Sequence, residues 1–181
     1  MGNTGSETRP GRSAGPGVSS GLGRVREVAV RDKEARFTAL LHHVSLPRLM
    51  MAFEDLKKDA APGADGVSWQ EYAQDLQANL RDLHVRVQSG KYRAKPVRRV
   101  HIPRPDGRLR PLGVASLEDK IVQRALADVL NAVFEAGFKG FSYGFRPGRG
   151  PHDALDALAA GICERKVNWV LDADIRDFLN P

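Results

Sequence analysis

The stretch Val97-Arg-Arg-Val-His-Ile-Pro-Arg-Pro-Asp-Gly-Arg-Leu-Arg-Pro-Leu-Gly-Val114 decides how this chain is read. Its first half alternates loosely and places three β-branched residues, Val97, Val100 and Ile102, in the manner of a strand. Pro103-Arg-Pro-Asp-Gly107 then makes a turn, because proline fixes φ and glycine accepts a positive one. Residues 108–114 return as a second strand. The expectation is an antiparallel hairpin with arginines on both arms. The periodicity around it is mostly helical, so the fold class is α+β.

Working outward toward the N-terminus, Ser68-Trp-Gln-Glu71 is a capping box. The helix it opens lines up Tyr72, Leu76, Leu80 and Leu83 and stops near Gly90. Ala61-Pro-Gly-Ala-Asp-Gly66 precedes it as a loop. Residues 32–60 read as two core-packing helices broken at Pro47, with Leu40, Leu41, Leu49, Met50, Phe53 and Leu56 as apolar faces. Residues 1–23, rich in Gly, Ser and Pro, read as a disordered tail. Toward the C-terminus, Ser116 caps a helix through residue 135, with Ile121, Ala125, Val129 and Val133 in one stripe. A loop with five glycines and two prolines covers residues 137–151. A helix over 152–164 turns Leu155, Leu158 and Ile162 inward, and residues 167–174 form a strand that delivers Asp174 at its end. Three segments result: the tail 1–23, a helical segment 24–90, and 91–181.

Hydrophobic residues make up 41% of the 181 and charged residues 28%, the composition of a globular protein. No apolar run approaches the roughly 18 residues of a membrane span. Cys163 is the only cysteine, which leaves no intrachain disulfide and no cysteine-rich metal site. A cytoplasmic location and no membrane partner are the expectations. Of the net charge of +6, residues 86–115 contribute +8, from nine Lys or Arg against Asp106, and the remainder carries −2. A basic segment this dense suits a polyanion. On charge alone, a solvated basic face explains it equally well.

Five segments in order resemble the reverse transcriptase/maturase proteins encoded by group II introns. They are Ala61-Pro-Gly-Ala-Asp-Gly-Val67, the string 101–113 within the hairpin, Leu117-Glu-Asp-Lys-Ile-Val-Gln-Arg-Ala-Leu126, Ser142-Tyr-Gly-Phe-Arg-Pro-Gly-Arg149 and Asp172-Ala-Asp-Ile-Arg-Asp-Phe178. The resemblance implies a helix-rich fingers subdomain carrying the hairpin, leading into the first strand of a truncated polymerase palm within 91–181. The activity implied is RNA-directed DNA polymerisation, an in-line phosphoryl transfer over two Mg²⁺ ions about 4 Å apart. Such ions take hard oxygen ligands, and the resemblance makes Asp174 both catalytic and a metal ligand. It places Arg104 and Arg110 on the incoming nucleotide's phosphates, where arginine forks fit. Arg98, Arg99, Arg108, Arg146 and Arg149 become contacts to the backbone of RNA, whether intron or template, paired with primer DNA.

Departures from the family pattern set a further expectation. The family's Tyr-x-Asp-Asp turn, which supplies the remaining carboxylates, does not occur in this sequence. Asp177 stands in place of a glycine, Leu179 in place of an aromatic, and Asn180 in place of an acid. The chain is therefore expected to be inactive alone. The alternatives are a non-catalytic RNA-binding remnant, or one half of a split enzyme completed by a C-terminal polymerase fragment.

Overall fold

The computed structural model describes residues 16–103, 105, 107–165 and 167–175, the first five as backbone only. Among them are six α-helices and one two-stranded antiparallel sheet, the mixed helix and sheet arrangement that the sequence pattern predicts. In chain order these are α1 (Pro16–Arg31), α2 (Leu46–Glu54), α3 (Trp69–Gln74), α4 (Leu76–Gln88), β1 (Arg98–Pro103), β2 (Leu109–Val114), α5 (Leu117–Phe134) and α6 (Pro151–Glu164). None of these helices is long and apolar enough to cross a membrane.

The chain divides into two compact units, Met1–Gly137 and Phe138–Pro181. In the first, α5 is the central strut, packed against both α1 and α2, while α4 lies against α2. Its stripe of Ile121, Ala125 and Val129 is buried with Leu49, Phe53, Leu80 and Leu83. Trp69 stacks on Phe53 at 4.6 Å and its indole N–H donates to the Phe53 carbonyl at 3.2 Å. The capping box forms as its spacing predicts. The Glu71 amide donates to Ser68 Oγ at 3.2 Å and the Ser68 amide donates back to the carboxylate at 2.8 Å. These Ser68 bonds hold the Glu71 carboxyl below its ordinary value, although the group is exposed.

In this unit three elements differ from the sequence reading. The region 32–60 holds one α-helix instead of two, and Pro47 lies in the first turn of α2 rather than between helices. First-turn amides have no intrahelical acceptor, so a residue without an N–H costs little there. A helix also occupies Pro16–Arg31, reaching into the segment expected to be a tail. Val25 and Ala29 are buried on it, so packing on α5 outweighs its glycine content. Finally, the helix over 68–90 is broken at Asp75, whose backbone (φ −118°, ψ 39°) separates α3 from α4.

The second unit contains α6, led by Gly150 and Pro151. Leu155, Leu158 and Ile162, expected to point into a core, are exposed. No other helix or strand of this unit is present among the described residues, so no regular element of the unit covers them. The strand expected over 167–174 is also absent. Residues 167–175 have no regular structure and join no ladder. A strand is defined by its partner, and β1 and β2 bond only to each other.

Candidate nucleic-acid interface

The hairpin pairs Arg98 with Val114, Arg99 with Gly113, Val100 with Leu112, His101 with Pro111, Ile102 with Arg110 and Pro103 with Leu109. Opposed residues project to one face, and successive residues alternate. Arg98 and Arg110 therefore share a face with Val100, Ile102 and Leu112, while Arg99 shares the other with His101 and Leu109. The turn closes through Gly107 at φ +79°. All three arginines are exposed, and no hydrogen bond or ion pair among the described residues engages their side chains. Arg108 is exposed in the turn, and Arg104 lies outside the described residues. The ribbon thus presents unengaged guanidinium groups on both faces.

Both feet of the ribbon are anchored in one buried node. Asp119, in the first turn of α5, is 4% exposed. Its carboxylate accepts from the Tyr92 hydroxyl, from Ser116 Oγ at 2.7 Å and from the Lys95 amide at 3.2 Å. Burial alone would raise this carboxyl; the Tyr92, Ser116 and Lys95 bonds and the Lys95 charge hold it below its ordinary value. Burial, then the bond to Asp119, pushes the Tyr92 phenol up. Lys95 also pairs with Asp65 at 3.0 Å, and Lys120 donates to the Ala61 carbonyl at 3.0 Å. Between these two links Gly63 lies against Ser116. A Cβ there would come within 2.6 Å of the Ser116 Cα, so the loop 61–66 needs glycine for close approach. Next to the node, Glu118 accepts from Arg86 at 2.7 Å and from the Tyr72 hydroxyl at 3.4 Å. The Glu118 bond is the main cause that raises the Arg86 guanidinium.

The sequence reading gave Tyr92, Glu118 and Asp119 no role. Ser116 three residues before Asp119 was a visible capping signal. The contact from Tyr92, 27 residues upstream, had no local signature.

In the second unit, Arg146 donates to the carbonyls of Lys139 and Ser142 at 2.8 and 2.6 Å and lies 5.0 Å from the Phe138 ring centre. Arg149 lies over Tyr143 at 5.4 Å and donates to the Gly140 carbonyl at 3.3 Å. Both arginines therefore brace the loop that carries them. Gly148 adopts φ +67°, a conformation glycine accepts freely, and a Cβ on Gly144 or Gly148 would meet nothing within 4 Å. Phe145 takes φ +57° with its ring fully in solvent.

Asp174 is exposed, its Oδ1 accepting from the Ile175 amide at 2.9 Å, and Asp172 is exposed nearby in sequence. No group of three or more His, Cys, Asp or Glu among the described residues could hold a metal ion. Asp177, Leu179 and Asn180 lie outside the described residues.

No family model matches the chain. Individual relatives do. Over 159 residues, 84% of its length, the chain is 33% identical to Protein YkfC of Escherichia coli (strain K12), of which this covers 42%. It is 25% identical over 157 residues to the group II intron-encoded protein LtrA of Lactococcus lactis subsp. cremoris, covering 86% of the chain and 26% of that protein. A shorter match, 32% identical over 63 residues, is to nuclear intron maturase 1, mitochondrial, of Arabidopsis thaliana, covering 35% of the chain and 9% of that protein. The chain thus spans less than half the length of each of these relatives. Together with the ordered motifs, these similarities group the chain with the proteins encoded by group II introns.

Proposed function

We propose that this chain supplies the nucleic-acid-gripping fingers of a group II intron-type RNA-directed DNA polymerase. The observation that carries the reading is the display of Arg98 and Arg99 on opposite faces of a hairpin where nothing described neutralises them. Arginines on both faces of a thin ribbon suit a phosphate backbone better than a compact anion. The intended occupants are intron or template RNA with primer DNA. Arg104 and Arg110 are reserved for nucleotide triphosphate oxygens, and Arg108, Arg146 and Arg149 add backbone contacts.

A salt titration of binding to a single-stranded RNA tests this. If roughly five phosphates are neutralised, log affinity falls against log salt with a slope of about −3.5. Replacing Arg98 and Arg99 with alanine flattens that slope by about one to two units. A parent protein whose affinity ignores salt would sink the proposal.

In this reading Asp174 contributes one carboxylate toward Mg²⁺, and acids on a complementing C-terminal polymerase segment contribute the rest. The isolated 181-residue chain then binds RNA without extending a primer. Adding a palm-and-thumb polypeptide bearing a Tyr-x-Asp-Asp turn restores extension, and Asp174→Asn abolishes it by removing a charged oxygen ligand. Template-dependent extension by the isolated chain, or restored extension that survives Asp174→Asn, rejects this assignment. If the mixture binds RNA and never extends, the non-catalytic RNA-binding alternative is the one that stands.

A further inference from the structure

A two-stranded ribbon has little rigidity of its own, and this one is exposed over almost its whole length on both faces. Its orientation must therefore come from its feet. Six residue pairs at about 3.3 Å per residue extend about 20 Å, so a slack of about 10° at the base moves the tip about 3.5 Å. That displacement is enough to break a guanidinium–phosphate hydrogen bond. The restraint at the base is concentrated. Lys95, whose amide reaches Asp119, comes three residues before β1, and Ser116, bonded to the same carboxylate, comes two residues after β2. Tyr92 adds its hydroxyl to that carboxylate, and the side chain of Lys95 ties the entering strand to Asp65 in the loop 61–66.

We infer that Asp119 is the positioning residue of the arginine hairpin, one buried carboxylate that locks both feet of the ribbon to the head of α5. It touches no nucleic acid. It acts by letting the guanidinium groups meet a phosphate backbone already oriented, so that binding does not have to pay for ordering them. The link to RNA rests on the phosphate-gripping reading above; the mechanical part does not.

The experiment separates the two. In the full chain with Cys163→Ser, spin labels at Leu109→Cys on the ribbon and Val85→Cys on α4, both exposed, report the ribbon's orientation as a distance distribution. Tyr92→Phe and Asp119→Asn each remove donors or charge from the node. Tyr72→Phe is the control, because it removes a hydroxyl from neighbouring Glu118 on the same helix without touching either foot. The expected result is a clearly wider distribution for Tyr92→Phe and Asp119→Asn, and a parent-like one for Tyr72→Phe. Affinity for a single-stranded RNA oligonucleotide at fixed salt falls about three- to tenfold for Tyr92→Phe, measured at a temperature where the variant remains folded. If Asp119→Asn fails to fold, Tyr92→Phe carries the test alone. A distribution as narrow as the parent's in Tyr92→Phe, or equal widening by Tyr72→Phe, overturns the inference. Widening with unchanged RNA affinity upholds the positioning role and rejects the phosphate-gripping reading instead.

Discussion

In α5, Ile121, Ala125 and Val129 recur every four residues and are essentially inaccessible to solvent. In α6, Leu155, Leu158 and Ile162 recur at three- and four-residue spacing, yet they are 60%, 45% and 45% exposed. The two helices carry the same kind of apolar stripe, and both form where periodicity places them. What separates them is supply. Helices α1 and α2 lie against α5 and close its stripe, while no regular element described in the second unit lies over α6. Periodicity writes a helix and chooses its face; burial of that face depends on other parts of a chain or assembly.

The sharpest way to break this comparison is to truncate one residue from each stripe. Ile121→Ala should cost about 2–5 kcal/mol, since it removes transfer free energy and leaves a cavity. Leu158→Ala should change stability by about 0.5 kcal/mol or less, the range of exposed sites. Urea unfolding followed by circular dichroism reads both. A Leu158→Ala cost as large as that of Ile121→Ala would mean that α6 is covered in solution.

A smaller effect sharpens the same contrast at glycines. Gly63→Ala drives a methyl into the Ser116 backbone and should cost about 1–3 kcal/mol through overpacking. Gly140 has open space where its Cβ would stand, so Gly140→Ala should leave the unfolding midpoint nearly unchanged. If the two variants melt together, the loop 61–66 is not pressed against α5 as the geometry requires.

The legible parts of this molecule were the local ones. The hairpin, the Ser68–Glu71 box and the Ser116 cap are each written within a few residues, by turn chemistry or by hydroxyl-to-amide spacing. The family was legible because five such strings stand in order. The arginines of the ribbon could be listed from sequence, and the ladder added which of them share a face. Failures came where distant surfaces decide. The helix at Pro16–Arg31 forms through α5, roughly a hundred residues onward in a chain of 181. Pro47 looked like a break because a proline's place within a helix depends on where that helix begins. The Asp119 carboxylate joins the Tyr92 and Ser116 hydroxyls and the Lys95 amide, and the Lys95 side chain extends the link to Asp65; no periodicity encodes a meeting of that kind. The Asp174 segment needs ladder partners to be a strand, and none pairs with it among the described residues.

The smallest expected effect concerns acid, and it again sets the α5 unit apart. The folded protein holds the Asp119 carboxyl below its ordinary value, through bonds from Tyr92, Ser116 and the Lys95 amide that outweigh desolvation. A carboxyl with a depressed folded pKa stabilises the native state above its unfolded pKa, near 4. That contribution is lost as pH falls through the folded value, because the unfolded chain then binds the proton more readily. Stability measured by urea unfolding should therefore decline as pH drops below about 4, and the part due to this carboxylate should vanish in Asp119→Asn. The difference between parent and Asp119→Asn should accordingly be widest near neutrality and narrow toward acid, as the parent's carboxyl becomes protonated and loses its charge. Glu71 is depressed in the same direction by the Ser68 bonds, but it is exposed to solvent and salt. Raising the ionic strength should weaken its share and leave most of the Asp119 share in place. A parent-to-variant difference that stays constant from neutral to strongly acid pH would show that Asp119 holds the node by shape alone, with its charge contributing nothing to the grip on the hairpin's feet.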